Sequence, residues 1–332
     1  MPAGTVAREP DQVDVCVIGS GASGAIIASE LAHRGLRILV LETGIAPRTG
    51  DSLRSMEPAW ETAFVRTGGG RLAQTGRPWS ACALGGGTSI FAGITFRFRE
   101  VDFHASPHTA DDALDPTWPF RYADLRKWYD AVERAIGVAR AHGMDPIEPE
   151  AAPPRLPPHP YSAAGALLAE SGLRLGMRPF PTPLAINSIP YGGRPACHRC
   201  GPYRTHTIDT ARLRYLARRA EQVLREVGAT EIAEQESGYQ AGSRHLHGTC
   251  RAGSDPRNSV VDSWGRVHDT DNVYVVDGGF FPYAGGVNPT FTIQANALRI
   301  SAEITRRLGA GSDANSAEPA MHPMPTEEGH HV

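Results

Sequence analysis

Apolar residues recur along this chain with two periods, and the two predict different elements. Val13 to Ile18 is a short β-branched run ending in glycines, and Arg37 to Leu41 is a second apolar run. Both read as strands buried on both faces. Between them, Ala22 to Arg34 places Ile26, Ile27 and Leu31 on one side of a helix, with Gly35 as its stop. The opening therefore predicts a β-α-β unit. Tyr122 to Ile136 repeats at the helical period and gathers Leu125, Tyr129, Val132 and Ile136. Ala211 to Val227 predicts another helix, with Leu213, Leu216, Ala220, Val223 and Leu224 inward, and Thr290 to Leu308 a final one. Ile94-Thr-Phe-Arg-Phe98 alternates as a strand with one solvated face would, and Val273 to Val276 reads as a third buried strand. A doubly wound sheet ordinarily needs more strands of this buried type than the three found.

Glycine and proline punctuate these elements. Gly68 to Gly70 and Gly85 to Gly87 mark tight turns or close backbone approach. Pro146 to Pro160 holds seven prolines and reads as a semi-rigid extended connection. From Gly309 onward the chain has no periodicity, and disorder is expected there.

Composition narrows the function. With 332 residues, 41% hydrophobic and 21% charged, the chain matches an ordinary soluble globular protein of one or two domains. A formal net charge of −3 gives no reason to expect nucleic acid or an anionic membrane as partner. No apolar run reaches the roughly 20 residues of a spanning helix. Met1 to Val13 lacks the apolar core of a secretory signal, so a cytoplasmic location is expected. Five cysteines are too few and too scattered for a disulfide scaffold. Cys197-x-x-Cys200 lacks a second cysteine pair, although His198 and His206 are near, and no metal site is expected.

The most informative turn is Gly19-Ser-Gly21-Ala22-Ser23-Gly24, after a strand and opening a helix, with Glu42 ending the next strand. Gly19 permits the tight turn, Gly21 lets a pyrophosphate approach the backbone, and Gly24 lets helix and strand pack closely. The helix start, at Ala22 and Ser23, offers unpaired N–H groups to phosphate. Glu42 can accept from ribose hydroxyls, which disfavours a 2′-phosphate. The motif alone does not separate NAD from FAD.

A second block settles that choice by resemblance. His245-Leu-His-Gly-Thr-Cys-Arg-Ala-Gly253, Asn272-Val-Tyr-Val-Val-Asp277 and Gly286-Val-Asn288-Pro289-Thr290 follow Leu84-Gly-Gly-Gly-Thr-Ser-Ile-Phe-Ala-Gly93 and Trp118-Pro119 in order. In this order the chain resembles the glucose–methanol–choline (GMC) oxidoreductases, particularly their gluconate-dehydrogenase-like branch. The resemblance implies an α/β fold: an FAD-binding, Rossmann-like doubly wound sheet with a reduced second, substrate region. It divides the chain into the N-terminal part of the FAD domain at 11–137 and a Pro-rich, truncated substrate region at 138–210. Residues 211–308 would complete the flavin site, and 309–332 would form the tail.

Carried over by position, the resemblance makes His245 the base and Asn288 its polar partner. Gly85, Gly86, Gly87 and Thr88 match the loop along the flavin and its pyrophosphate. Asp277 and Gly278 match the strand end at the ribityl chain and pyrophosphate, while Pro289 and Thr290 adjoin the ring. Ile90 stands where some members attach FAD through histidine, which implies dissociable, non-covalent FAD. An alcohol carbon gives up hydride readily only as its oxygen loses a proton, so an imidazole titrating near neutrality suits the site. His247 is the rival base, expected to point outward if His245 points inward.

The implied activity is oxidation of a small-molecule alcohol, sugar, sugar acid or other polyol, with the electron acceptor open. Relatives are longer, and a stretch of substrate domain is missing here near Gly201, where Tyr203-Arg-Thr-His follows Cys200-Gly201 within a few residues. Three alternatives stay open: a weakly active flavin-binding remnant or partner-dependent subunit, a flavin-dependent lyase, and an NAD-dependent dehydrogenase.

Overall fold

The computed structural model describes residues 12–44, 63–66, 72–75, 83–89, 91–104, 117–197, 222–226, 245, 247–283 and 285–310. Strand β1 (Val15–Ile18) pairs in parallel with β2 (Ile38–Leu41), Val15 facing Ile38 and Ile18 facing Leu41. Between them in the chain, α1 (Ala22–Ala32) buries Ile26, Ile27 and Leu31 as their spacing predicts. It ends two residues before Arg34, because Gly35 turns left-handed at φ +80° and its N–H closes onto Ala32 O at 2.9 Å.

The strands correct the sequence reading. Neither β1 nor β2 is buried on both faces: Ile18 is 85% exposed, Leu41 48% and Val40 38%. Strands of a doubly wound sheet are buried because neighbours and two helical layers cover them, whereas among the described residues this parallel sheet is two strands wide. Val273 to Val276 is not a third strand of it. That stretch lies against 265–267, through the Arg266–Tyr274 bridge and Val275 N to Gly265 O at 2.7 Å. Ile94 to Phe98 forms no strand either, only a bridge from Ile94 to Leu184. Its alternation runs opposite to the expected phase, with polar Thr95 and Arg97 buried and Ile94 and Phe96 half-buried.

The reason is a buried ionic network. Arg97 Nη2 donates to Asp130 at 2.7 Å and Glu133 at 2.5 Å, while Arg140 Nε donates to Glu133 at 2.8 Å. A guanidinium so paired can be drawn inward past an apolar neighbour.

Strands β3 (Ala63–Arg66) and β4 (Leu72–Thr75), unforeseen in the sequence, pair antiparallel on either side of the glycine run at 68–70. Helix α2 (Tyr122–Ile136) has the expected bounds, with Asp124 accepting from Arg121 N at 2.8 Å at its start. Helix α3 (Ala163–Arg174) was not anticipated; Ser162 Oγ caps it by accepting from Gly165 N at 3.1 Å. The C-terminal helix α4 (Thr290–Leu308) also matches its expected span and stops at left-handed Gly309. The glycine run 68–70, Ile90, His198, Cys200, His206, most of the helix expected at 211–227, the junction near Gly201 and the tail from 311 lie outside the described residues. Residues 222–226 are helical.

Both α1 and α2 pack on α4, and that three-helix contact forms the core. An aromatic cluster joins it: Phe98, Phe103, Trp118, Phe120, Phe280 and Phe281, with Trp118 and Phe281 ring centres 4.8 Å apart. Such ring pairs each add about 0.5–1.5 kcal/mol beyond their buried area. They hold the Gly278–Phe281 stretch against the lead-in to α2. Among the described residues no helix is long and apolar enough to cross a membrane.

Candidate functional site

Two groups of predicted residues assemble beside this core. The first is a cradle of backbone around Gly19 to Gly24. Gly19 turns at φ +90°. A Cβ on Gly24 would sit 2.0 Å from Gly19 O, so only glycine allows α1 this close to the strand end. A Cβ on Gly21 would meet nothing within 4 Å, and no side chain caps the start of α1 at Ala22 and Ser23. Open backbone and uncapped helical N–H groups form a donor set that fits a pyrophosphate.

Ser20, which the motif treats as a variable position, organises this cradle. Its N and Oγ donate to Glu42 Oε2 at 2.9 and 2.7 Å, and its Oγ accepts from Gly85 N at 2.9 Å. The second glycine loop is thereby drawn onto the first, and a Cβ on Gly86 would lie 3.1 Å from Gly21 Cα. Thr88 Oγ1 closes that loop by donating to Gly85 O, and Gly87 has open space around it. Glu42 was expected to face ribose hydroxyls; its first task here is to order the turn, since Oε1 also accepts from Gly44 N at 2.7 Å.

Hydrogen bonds from Ser20 first, then from Gly44, lower the Glu42 carboxyl from 4.5 to about 2. A carboxyl depressed on folding adds stability above its ordinary value, and that stability is lost as pH falls towards the folded value. Melting temperature of the apoprotein is expected to fall from about pH 4.5 down to about pH 2, more steeply than in Glu42→Gln. Equal slopes in the two proteins would contradict it.

The second group is built on the aromatic cluster. Gly248 N, Cys250 N and Ala252 N donate in turn to Gly278, Gly279 and Phe280 carbonyls at 3.0, 2.9 and 2.9 Å. Asp277 caps the turn at Gly278 by accepting from Gly279 N at 2.8 Å. This ladder fixes the histidine block, and it brings His245 Nε2 within 3.5 Å of Asn288 Nδ2 across 43 residues. Pro289, the N-cap of α4, and Thr290, its first residue, follow Asn288 directly. The cradle lies at the start of α1 and Asn288 just before the start of α4, and these two helices pack on each other.

His247 departs from expectation. It does not point away but is half-buried and stacks on Phe281, with ring centres 6.3 Å apart. Side chains two apart share a face wherever a chain is extended, so spacing alone gives no reason for two such histidines to face opposite ways. Burial, and secondarily the charge of His247, lowers the His245 pKa below its usual value; burial also lowers that of His247. Among the described residues no group of three His, Cys, Asp or Glu side chains could hold a metal ion.

Known proteins resemble this chain over most of its length. A family model described as GMC oxidoreductase matches residues 200–297, and one for an NAD(P)-binding Rossmann-like domain matches 17–54. The chain is 29% identical to 6'''-hydroxyparomomycin C oxidase of Streptomyces lividus, over 91% of this chain and 93% of that protein. It is also 29% identical to paromamine 6'-oxidase of Streptomyces fradiae, over 88% and 91%. Among solved structures, pyridoxine 4-oxidase from Mesorbium loti superposes with a TM-score of 0.51 at 13% identity, covering 89% of this chain and 99% of that one. The alignment to the Streptomyces lividus protein runs over 510 positions against 332 residues here. At least 178 positions (510 less 332) therefore have no counterpart in this chain.

Proposed function

We propose that this chain, which a GMC oxidoreductase family model matches over residues 200–297, is an FAD-dependent enzyme that oxidises a sugar, sugar acid or similar polyol with His245 as base. The carrying observation is the 3.5 Å approach of His245 and Asn288. Two nitrogens at that separation can both reach one substrate oxygen at about 2.9 Å. The neutral His245 ring takes the hydroxyl proton, and Asn288 Nδ2 donates to the oxygen and holds it. FAD, once bound, supplies the hydride acceptor. The cradle from Gly19 to Gly24, the Gly85 to Thr88 loop and Glu42 would hold its pyrophosphate and ribose. Asp277 and Gly278 would face its ribityl chain. The relatives named for oxidising paromamine and 6'''-hydroxyparomomycin C support a polyhydroxylated substrate. With isoleucine at position 90, FAD is held without a covalent bond, and acid precipitation would leave the yellow colour in the supernatant.

The test is an anaerobic titration of the holoprotein with sugars, sugar acids and polyols, following the oxidised flavin band. Bleaching by one of them is expected. Turnover of a substrate with the band always intact would instead favour lyase chemistry, and bound FAD that no alcohol bleaches would overturn the proposal.

A second reading has its own support in the exposed Ile18, Val40 and Leu41 and in the unmatched positions of the relatives. In that reading the chain binds flavin but needs a partner subunit to complete its sheet and roof. Activity that appears only on adding such a subunit would favour it.

A further inference from the structure

Asn288 sits in a turn, 285–289, that is neither helix nor strand, so its position depends on what anchors it. The anchors on both flanks come from one distant stretch of chain. Before Asn288, Gly286 N donates to Asp102 Oδ1 at 2.8 Å, across 184 residues. Gly285 lies on the Phe98 ring so closely that a Cβ there would stand 2.5 Å from Phe98 Cζ. After Asn288, Thr292 Oγ1 is 2.6 Å from Tyr129 Oη, and that hydroxyl accepts from Phe98 N at 3.2 Å. Asp102 is itself fixed: only 7% exposed, it accepts from Arg99 N through Oδ2 at 2.8 Å.

We infer that Phe98, Asp102 and Tyr129 form a clamp that sets where the Asn288 carboxamide lies. Asp102 and Tyr129 are thus positioning residues, remote from both sequence motifs. The inference rests on the role proposed for Asn288. Its physical basis is that a buried carboxylate holds a backbone N–H about twice as strongly as a neutral acceptor does. A displacement of about 1 Å at a reacting group can cost about a hundredfold in rate.

The experiment is a double-mutant cycle of Asp102→Ala and Asn288→Ala in the full-length holoprotein. It is read by anaerobic flavin reduction and, in the apoprotein, by NMR titration of the His245 ring. Asp102→Ala is expected to slow reduction about tenfold when Asn288 is present and less than about twofold when it is already alanine. It should also move the His245 ring resonances in the same direction as Asn288→Ala does. Asp102→Asn, which keeps an oxygen for Gly286 N, should recover part of the loss. Tyr129→Phe should act more weakly, and its effect should likewise vanish without Asn288. If Asp102→Ala does not fold, Asp102→Asn and Tyr129→Phe complete the cycle.

Equal losses in both backgrounds, or a His245 titration indifferent to Asp102 and Tyr129, would overturn the clamp. Flavin reduction unchanged by Asn288→Ala would instead remove the proposed role of Asn288; the NMR comparison then judges the clamp alone.

Discussion

Replacing His245 by alanine is expected to slow flavin reduction by substrate about 10²–10⁴-fold, the usual contribution of a positioned general base, while FAD remains bound. His245 belongs to the second group of site residues, and the phosphate cradle around Gly19 does not include it. Only the neutral ring can accept the hydroxyl proton. Burial first, then the His247 charge, depress its pKa, so the neutral form persists to lower pH than an ordinary imidazole allows. The pH profile of kcat/KM is therefore expected to rise with pH and level off below the normal histidine range. His247→Ala removes one of the two depressing influences and should move that rise to higher pH without abolishing activity. A His245→Ala protein that bleaches at the wild-type rate would take His245 out of the chemistry. A profile lost on removing His247 instead would transfer the role to its neighbour.

The two histidines also show where sequence reasoning reaches and where it stops. Helices α2 and α4 were legible to the residue, since Leu125, Tyr129 and Val132, or Phe291, Ala295 and Leu298, repeat at the period of a buried helical face. Helix α3 was missed because Gly165 and Gly172 dilute its propensity, and the Ser162 cap was the overlooked signal. Runs such as Val273 to Val276 were over-read. An apolar run states that a segment is fit for burial but not which strand it meets, and the partners expected in a full sheet are absent from the described residues. Within the candidate site, the glycines came from a local motif and the His245–Asn288 pair from the family resemblance. Ser20, which reaches Glu42 and Gly85, and Asp102, which reaches Gly286, came from neither. Their roles lie in hydrogen bonds spanning 22, 65 and 184 residues, and no local pattern encodes them.

The glycine cradle yields the second large effect, because two of its glycines are needed for different reasons. A methyl group on Gly24 would stand 2.0 Å from Gly19 O and 3.3 Å from Val17 Cγ1. The first contact is with backbone that already turns at φ +90°, so the helix must move off the strand. Gly24→Ala is accordingly expected to destabilise the apoprotein by about 1–3 kcal/mol, the usual range for overpacking, and to weaken FAD as a consequence. Gly21 is the opposite case. Its φ of −65° is open to alanine, and the added methyl meets no protein atom within 4 Å. Gly21→Ala should leave the apoprotein's melting temperature unchanged, yet weaken FAD about 10–100-fold, equivalent to about 1.4–2.8 kcal/mol. The methyl would occupy the space in which the pyrophosphate approaches the backbone. Thermal melting with and without FAD, together with fluorescence titration of the cofactor, separates the two. If Gly21→Ala bound FAD as tightly as the wild type, the pyrophosphate would not lie against this turn.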